Sequence, residues 1–333
     1  MNNQNRDNMT NPHSSSPVLT PCPLCERTGA SPISAQPYER IWSALVVEYQ
    51  ATFSQDVIRR LTPDAVTTLV ECGSCGLQYF TPAVPGDEDF YSQLTTTAAS
   101  YYTGDKWDFQ AALLWVHSSN VLLDIACGEG AWMSRARTRS AEVVGIDTNP
   151  DAVSKARRVG LEVYCASLEQ FANDNNSRFD VVSAFQVVEH VDKVLPFIKA
   201  AADCLKPGGR LLVTVPNRLR SVRACFEPLD HPPHHLSRWS APQFAYLGHA
   251  AGLTLRQVSF QPASMSECRA ALRSRIAPAG HTESLVARAL GRIVFSPSLY
   301  ALYHRFGLLD YWQLRGMSMM AVLEKSADTG SSP

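Results

Sequence analysis

From residue 120 onward, short apolar runs alternate with helical segments, and this alternation constrains the fold more than any other feature. Strands that alternate with helices of ~10–15 residues form βαβ units, which build a parallel sheet covered by helices. The predicted strands are 121–126, 142–147, 161–166, 179–186, 210–216, 253–260 and 316–324. The predicted helices lie near 130–138, 150–159, 167–173, 192–205 and 241–251. We therefore expect an α/β, Rossmann-like fold, with a helix stop and turn at 206–209.

A glycine turn follows the first predicted strand, in segment 121–130. Glycines such as Gly128 and Gly130 let the backbone approach a ligand, and the following helix offers unpaired N–H groups. Asp147 ends the second strand, where a carboxylate can accept the ribose hydroxyls of an adenosine. The dinucleotide fingerprint G-x-G-x-x-G is absent because Met133 stands at the third glycine position. The turn is thus expected to bind an adenosine ligand without a pyrophosphate.

Four motifs resemble those of class I S-adenosylmethionine-dependent methyltransferases. They are DIACGEG at 124–130, GID at 145–147, and the fourth- and fifth-strand motifs at 179–191 and 205–217. The resemblance covers about 120–260 and implies seven strands with the last one antiparallel. It also implies S-adenosyl-L-methionine as the cofactor. One departure is Ala126, where the family usually has its first glycine.

The resemblance further implies which residues hold the cofactor. Those implied for the methionine part are Asp124, Ala126, Gly128, Gly130 and Gln186. Those implied for the adenosine part are Asp147, Thr148, Ser167 and Leu168. Tyr101 and Tyr102 are alternatives for closing over the cofactor or for core packing. The competing interpretation of this whole segment is a Rossmann-like sheet that binds another adenosine ligand or none.

Two CxxC pairs, Cys22 with Cys25 and Cys72 with Cys75, precede this region and are separated by 46 residues. Each pair directs two thiolates at one point, and four thiolates suit tetrahedral Zn²⁺ with no open position. We therefore expect a structural zinc ion in a module that resembles those of bacterial sugar and small-metabolite methyltransferases. The gap exceeds the ~15–20 residues of compact zinc sites, so an insertion is expected between the pairs. The alternatives are a redox CxxC or unligated cysteines.

Three histidines are candidates for a general base, because imidazole titrates close to neutral pH. His190 follows the fourth strand, and His234 and His235 lie in the loop after the fifth strand, which reaches the same rim of the sheet. The alternative for His190 is helix capping or packing against the cofactor. Arg238, in the same loop, could hold a phosphate or carboxylate of the substrate, or be a surface charge.

The chain of 333 residues divides into five predicted parts. They are a disordered tail (1–19), a zinc-binding module (20–82), a helical linker or cap (83–119), the methyltransferase core (120–260), and a helical lid or interface segment with the last strand (261–333). The apolar stretch 283–312 is interpreted as lid or dimer face, with peripheral membrane contact as the alternative. The oligomeric state stays open.

The composition of the chain limits the kinds of partner and the cellular location that we expect. The net charge of −1 argues against a protein that coats nucleic acid. No apolar run reaches the ~18 residues of a transmembrane helix, and no secretory signal is recognisable, so we expect a cytoplasmic protein. The expected function is methyl transfer to a small polar or sugar-type acceptor, a class that includes nucleotide- and lipid-linked compounds. The alternatives are an RNA-base methyltransferase that grips RNA with the zinc module, and a non-catalytic cofactor-binding protein.

Overall fold

The computed structural model describes residues 19–95, 106–221, 226–276 and 285–327. Its strands are β1 (Ala30–Pro37), β2 (Val66–Cys72), β3 (Gln78–Thr81), β4 (Val121–Ile125), β5 (Glu142–Asp147), β6 (Glu162–Cys165), β7 (Phe179–Phe185), β8 (Leu205–Pro216), β9 (Ser237–Arg238), β10 (Leu253–Pro262) and β11 (Arg315–Lys325). The predicted tail (except residue 19), Tyr101 and Tyr102 lie outside the described residues.

Seven strands form one sheet in the order β10-β11-β8-β7-β4-β5-β6. Strands β4 to β8 pair in parallel, whereas β11 is antiparallel to both β8 and β10. The α/β, Rossmann-like fold and the antiparallel last strand are confirmed. The central strands are apolar on both faces, as covered parallel strands must be; in β7, for example, Val181 and Val182 are both buried.

Helices pack against this sheet in two separate clusters of buried residues. The helices are α1 (Tyr38–Tyr49), α2 (Gln55–Arg60), α3 (Glu88–Thr95), α4 (Trp107–Ala112), α5 (Ala131–Ala136), α6 (Pro150–Arg158), α7 (Leu168–Asp174), α8 (Val194–Cys204), α9 (Ala241–Ala250), α10 (Met265–Ile276), α11 (Leu285–Val294), α12 (Pro297–Arg305) and α13 (Leu308–Tyr311). None of the described helices is both long and apolar enough to cross a membrane.

The N-terminal segment forms a four-stranded antiparallel sheet in the order β1-β2-β3-β9. The insertion expected between the two CxxC pairs consists of β1, α1, α2 and most of β2. The fourth strand, β9, comes from the loop after β8, where Tyr79 pairs with Ser237. The loop that carries His234 and His235 is therefore tied to the cysteine-bearing sheet.

Helices α10 to α13 lie between the last two strands of the large sheet. Ser318 of β11 pairs with Pro216 at the carboxyl end of β8, and Arg315 pairs with Pro262 at the end of β10. The helices therefore leave and rejoin the sheet at the edge where the parallel strands end. Ligands of open α/β sheets bind at this edge.

One local expectation was correct only in part: α8 ends at Cys204, as the predicted helix stop requires, but the predicted turn is not observed. Residues 206–209 do not form a turn between helix and strand, because β8 begins at Leu205 directly after α8. The extra residues are absorbed as an irregularity in the pairing with β7, between Phe179 and Val181. Gly208 has φ +75° there, a value that glycine adopts without a steric cost.

Candidate functional site

The turn after β4 holds its backbone in the left-handed region. Ala126, Gly128 and Gly130 have φ of +55°, +54° and +83°. A Cβ atom on Gly130 would lie 2.1 Å from Cδ1 of Leu161, so this position also requires glycine for space. Ala126 adopts the same backbone region at a cost of ~1–2 kcal/mol, which explains why glycine is favoured there.

The carboxylate of Asp147 lies beside this turn, at the end of β5. One oxygen accepts the backbone N–H of Gly128 at 2.7 Å, and the other accepts that of Asn149 at 2.8 Å. Asp147 is half-buried, so its carboxylate lies at the surface of the edge and can accept further hydrogen bonds. Asn149 caps α6 with its side chain and so fixes the chain after Asp147.

Asp124 lies beneath the turn and is buried. Its Oδ1 accepts the hydroxyl of Ser183 at 2.8 Å, and that hydroxyl oxygen accepts the indole N–H of Trp132 at 3.0 Å. Burial raises the pKa of Asp124 to about 8. A carboxyl in this position supports the turn from below.

The adenosine-side residues lie at the ends of β5 and β6. The backbone oxygen of Thr148 accepts the thiol of Cys165 at 3.8 Å. Ser167 caps α7 in a capping box with Gln170, and Leu168 is buried. These contacts hold the loops in place, and the assignment of the residues to the adenine ring stays a prediction.

Gln186 ends β7 with φ +57°, a strained value for a residue with a side chain. Its backbone N–H donates to Thr214 O at 2.9 Å, and its side-chain amide lies 3.4 Å from Oδ2 of Asp108. Asp108 is buried, its Oδ1 has no hydrogen-bond partner among the described residues, and burial raises its pKa to about 6. No sequence pattern pointed to Asp108, because its placement depends on how α4 packs on the sheet.

The three candidate histidines lie together. One ring nitrogen from each of His190, His234 and His235 lies within 4.8 Å of the others, and the ring centroids are 4.4–4.8 Å apart. Oε1 of Glu189 lies 3.9 Å from Nε2 of both His190 and His235. Glu189 is fully buried, and within the described part of the chain neither of its carboxylate oxygens has a hydrogen-bond partner.

Burial controls the protonation of this cluster. It lowers the pKa of His190 to about 3 and lowers the pKa values of His234 and His235 as well. It raises the pKa of Glu189 well above its usual range. Burial alone would also raise the pKa of Asp230, but hydrogen bonding to His235 and the charge of Arg220 outweigh it and lower that pKa.

Backbone acceptors orient two of the rings. Nδ1 of His234 donates to Leu229 O at 2.8 Å, and Nδ1 of His190 donates to His234 O. The hydroxyl of Tyr91 lies 2.9 Å from the same His190 nitrogen. These partners assign the ring proton to Nδ1 and leave Nε2 of His190 as the basic nitrogen. Sequence reasoning missed Tyr91, which reaches the cluster from α3.

The loop after β8 is held at several points. The N–H of Phe80 donates to Leu236 O at 2.9 Å, and Arg220 pairs with Asp230. The guanidinium of Arg238 donates to Asp230 O at 3.1 and 3.3 Å. Arg238, which the sequence suggested as a residue that binds a substrate anion, thus positions the loop.

The four cysteines of the two CxxC pairs also lie together. Sγ of Cys22 is 3.6 Å from Sγ of Cys75, and Sγ of Cys25 is 3.5 Å from Sγ of Cys72. All four sulfur atoms lie within 4.8 Å of one another. Tetrahedral Zn²⁺ with Zn–S of ~2.3 Å requires sulfurs about 3.8 Å apart, whereas a disulfide requires about 2.05 Å. The donor set therefore fits zinc.

Comparison with known proteins agrees with this geometry. Residues 105–258 match a family described as "Methyltransferase domain". A ubiquinone biosynthesis O-methyltransferase of Idiomarina loihiensis is 33% identical over 103 residues, which are 29% of this chain and 42% of that protein. One from Aeromonas salmonicida is 27% identical over 153 residues, 41% of this chain and 64% of that protein. The chain thus spans less than two thirds of these relatives.

Solved structures give more distant likenesses. An S-adenosylmethionine-dependent methyltransferase from Mesorhizobium loti has a TM-score of 0.45 and 12% identity, covering 67% of this chain and 100% of that one. One from Archaeoglobus fulgidus has a TM-score of 0.44 and 15% identity, covering 65% and 91%. These likenesses are too distant to bear on acceptor or mechanism.

The family match and the strand order agree with each other. Residues 105–258 match a methyltransferase domain, and the seven-stranded sheet with an antiparallel last strand is the fold that the resemblance of the sequence motifs implied.

Proposed function

We propose that this protein transfers a methyl group from S-adenosylmethionine to a small polar or sugar-type acceptor, with a histidine as general base. The observation that carries the proposal is the common location of two sites. The turn at Gly128 and the carboxylate of Asp147 lie at the carboxyl edge of the sheet, and the turn Val188–His190 follows Gln186 at the same edge. The cluster of three histidines thus lies next to the predicted cofactor residues, at the same edge of the sheet.

S-Adenosylmethionine supplies an activated methyl group, so the chain itself must align the acceptor, exclude water and accept a proton. His190 is the base that we favour, because its Nε2 is unprotonated and its Nδ1 is held by a backbone carbonyl. The low pKa of His190 keeps the imidazole neutral at pH 7. Oε1 of Glu189 lies 3.9 Å from the same Nε2.

The acceptor atom that we favour is oxygen. The relatives from Idiomarina loihiensis and Aeromonas salmonicida are named O-methyltransferases, which supports a hydroxyl acceptor. A hydroxyl acceptor also requires a general base, and the buried histidines provide one. An amine acceptor has less need of a general base. Because the chain spans only part of those relatives, the proposal does not extend to the particular acceptor that they methylate.

In this proposal, a zinc ion has a structural role. Its ligands are Cys22, Cys25, Cys72 and Cys75. Four thiolates fill the coordination sphere and leave no position for substrate. The side chain of Gln243 donates to Cys75 O at 3.0 Å, which connects the cysteine turn to α9 of the core. The ion would therefore stabilise the sheet that holds the histidine loop.

The experiment uses methyl-labelled S-adenosylmethionine, the purified protein and an extract of the source cells. After separation into RNA, protein, lipid-linked and small polar fractions, we expect label in a small polar or lipid-linked fraction. Label in RNA would favour the RNA-base alternative, and cofactor binding without any label would favour the non-catalytic one. Either result contradicts the proposal.

A set of variants tests the base. We expect His190→Ala to lose transfer while it keeps cofactor affinity, and His249→Ala, an exposed histidine on α9, to keep both. Intact transfer in His190→Ala and in a His234→Ala, His235→Ala double variant would refute a base in this cluster. Metal analysis adds a check: a second metal equivalent that the histidine variants lose would make these residues ligands.

A further inference from the structure

Asp108 is a buried carboxylate at the carboxyl edge of the large sheet, and the proposed function does not use it. It lies in the first turn of α4 and is 3% exposed. Its Oδ2 accepts a hydrogen bond from Nε2 of Gln186 at 3.4 Å, whereas its Oδ1 has no hydrogen-bond partner within the described ranges. A buried carboxylate oxygen without a partner costs free energy unless a ligand compensates for it. This oxygen is therefore a candidate ligand-binding atom.

Helix α4 contacts both places that the sequence motifs imply for the methionine part of the cofactor. The ring centroid of Phe109, next to Asp108, lies 5.6 Å from that of Trp132 in α5, the helix that follows the glycine turn. It also lies 5.8 Å from the ring centroid of Phe185, the last residue of β7 and the one before Gln186. The packing of α4 therefore brings Asp108 to the edge that these two places share.

The hydrogen bond from Gln186 satisfies Asp108 only weakly. Nε2 of Gln186 also lies 3.3 Å from Oγ1 of Thr214 and 3.5 Å from Oγ of Ser318. An amide nitrogen has two protons, so it cannot donate to all three oxygens at once. The 3.4 Å distance to Asp108 is also longer than a usual N–H···O hydrogen bond. The carboxylate of Asp108 can therefore accept further hydrogen bonds from a stronger donor.

The other acids of this edge are less suited to bind a cation. Burial raises the pKa of Asp124 to about 8 and raises the pKa of Glu189 well above its usual range, so burial favours the neutral form of both. Asp147 accepts one backbone N–H with each of its two oxygens. Asp108 has a pKa of about 6, which leaves its carboxylate ionised at pH 7. A cation at this edge would therefore pair best with Asp108.

We propose that Asp108 binds the ammonium group of the methionine part of S-adenosylmethionine. An ammonium group donates up to three hydrogen bonds, and its charge strengthens those that reach a carboxylate. The same charge compensates the buried carboxylate of Asp108. This inference rests on the proposed function and adds a residue that the sequence motifs do not include. Asp108 then selects the cofactor at its amino-acid end, and Asp147 binds the ribose.

The test compares two ligands that differ in the part that Asp108 would contact. S-Adenosylhomocysteine carries the ammonium group, whereas 5′-methylthioadenosine lacks the whole amino-acid part. Both are titrated calorimetrically into the unmodified protein and into Asp108→Asn, which removes the charge and keeps the size of the side chain. Competition against S-adenosylhomocysteine measures the weaker ligand. The matched control is Asp203→Asn, at an exposed acid of α8.

The two ligands should respond differently to Asp108→Asn. We expect the affinity for S-adenosylhomocysteine to fall about tenfold or more, because a charge-assisted hydrogen bond is lost, and that for 5′-methylthioadenosine to change less than about twofold. The control should leave both affinities unchanged. An equal loss for both ligands would assign Asp108 a role in the structure of the site alone and overturn the inference. An unchanged affinity for S-adenosylhomocysteine would also overturn it.

The unmodified protein separates this inference from the proposed function. If it binds S-adenosylmethionine and Asp108→Asn binds the cofactor equally well, only the ammonium site is wrong. If the unmodified protein does not bind S-adenosylmethionine, the proposed function fails and the inference fails with it. A thermal unfolding scan of Asp108→Asn shows whether a loss of binding comes from a loss of folding.

Discussion

Replacing Gly130 by alanine perturbs the cofactor turn in two measurable ways. The backbone at Gly130 has φ +83°, and an L-residue in this region costs ~1–2 kcal/mol. The added Cβ would also lie 2.1 Å from Cδ1 of Leu161, a buried side chain that must move, and such overpacking costs ~1–3 kcal/mol. We therefore expect Gly130→Ala to lower the free energy of unfolding by roughly 2–5 kcal/mol.

A second glycine provides the control for backbone strain. Gly252 has φ +71°, and no atom of the residues that the structure describes lies within 4 Å of the Cβ that alanine would add. Gly252→Ala should therefore cost only ~1–2 kcal/mol. Urea unfolding followed by tryptophan fluorescence measures both variants. Adding Leu161→Val, which removes Cδ1, should cost less in the Gly130→Ala background than in the unmodified chain. Equal costs for the two glycine variants, together with additivity for Leu161→Val, would refute the steric reasoning.

Three further predictions concern the same site and the cysteines. Ala126→Gly should raise the free energy of unfolding by up to ~1 kcal/mol in urea, since φ is +55° there; a loss of stability would contradict it. Asp124 stays protonated in the folded state up to its pKa of about 8, so a rise in pH from about 4 to 8 lowers the free energy of unfolding. Asp124→Asn should remove a slope of roughly 1.4 kcal/mol per pH unit from the pH dependence of this free energy. An unchanged slope in urea titrations would count against this prediction. Cys72→Ser should lose about one zinc per chain by metal analysis, whereas Cys165→Ser, at an exposed cysteine, should not; equal metal contents would exclude the four-cysteine site.

The sequence predicted the methyltransferase core well because its elements carry strong local signals. Strand β5 (Glu142–Asp147) has the bounds that its apolar pattern gave, and α6 begins at Pro150, which suits the first helical turn. Apolar runs bounded by glycine and proline need no knowledge of distant residues. The domain boundaries and the cytoplasmic location stay predictions.

The environment of the histidines could not be predicted in this way. Strand β9 has two residues, too few to show a periodicity, and its pairing with β3 joins residues far apart in the sequence. The contact of Tyr91 with His190 and the contact of Asp108 with Gln186 likewise depend on tertiary packing. The full burial of Glu189 also contradicts the usual exposure of glutamate.

The central claim is that the carboxyl edge of the sheet binds S-adenosylmethionine through the carboxylate of Asp147. Calorimetric titration of the cofactor into the protein, Asp147→Ala and Asp151→Ala tests it most directly, because Asp151 is an exposed acid of the neighbouring α6. We predict binding by the unmodified protein, a loss on the order of tenfold or more in Asp147→Ala, and little change in Asp151→Ala. Absence of binding, or equal affinity in all three proteins, would contradict the account.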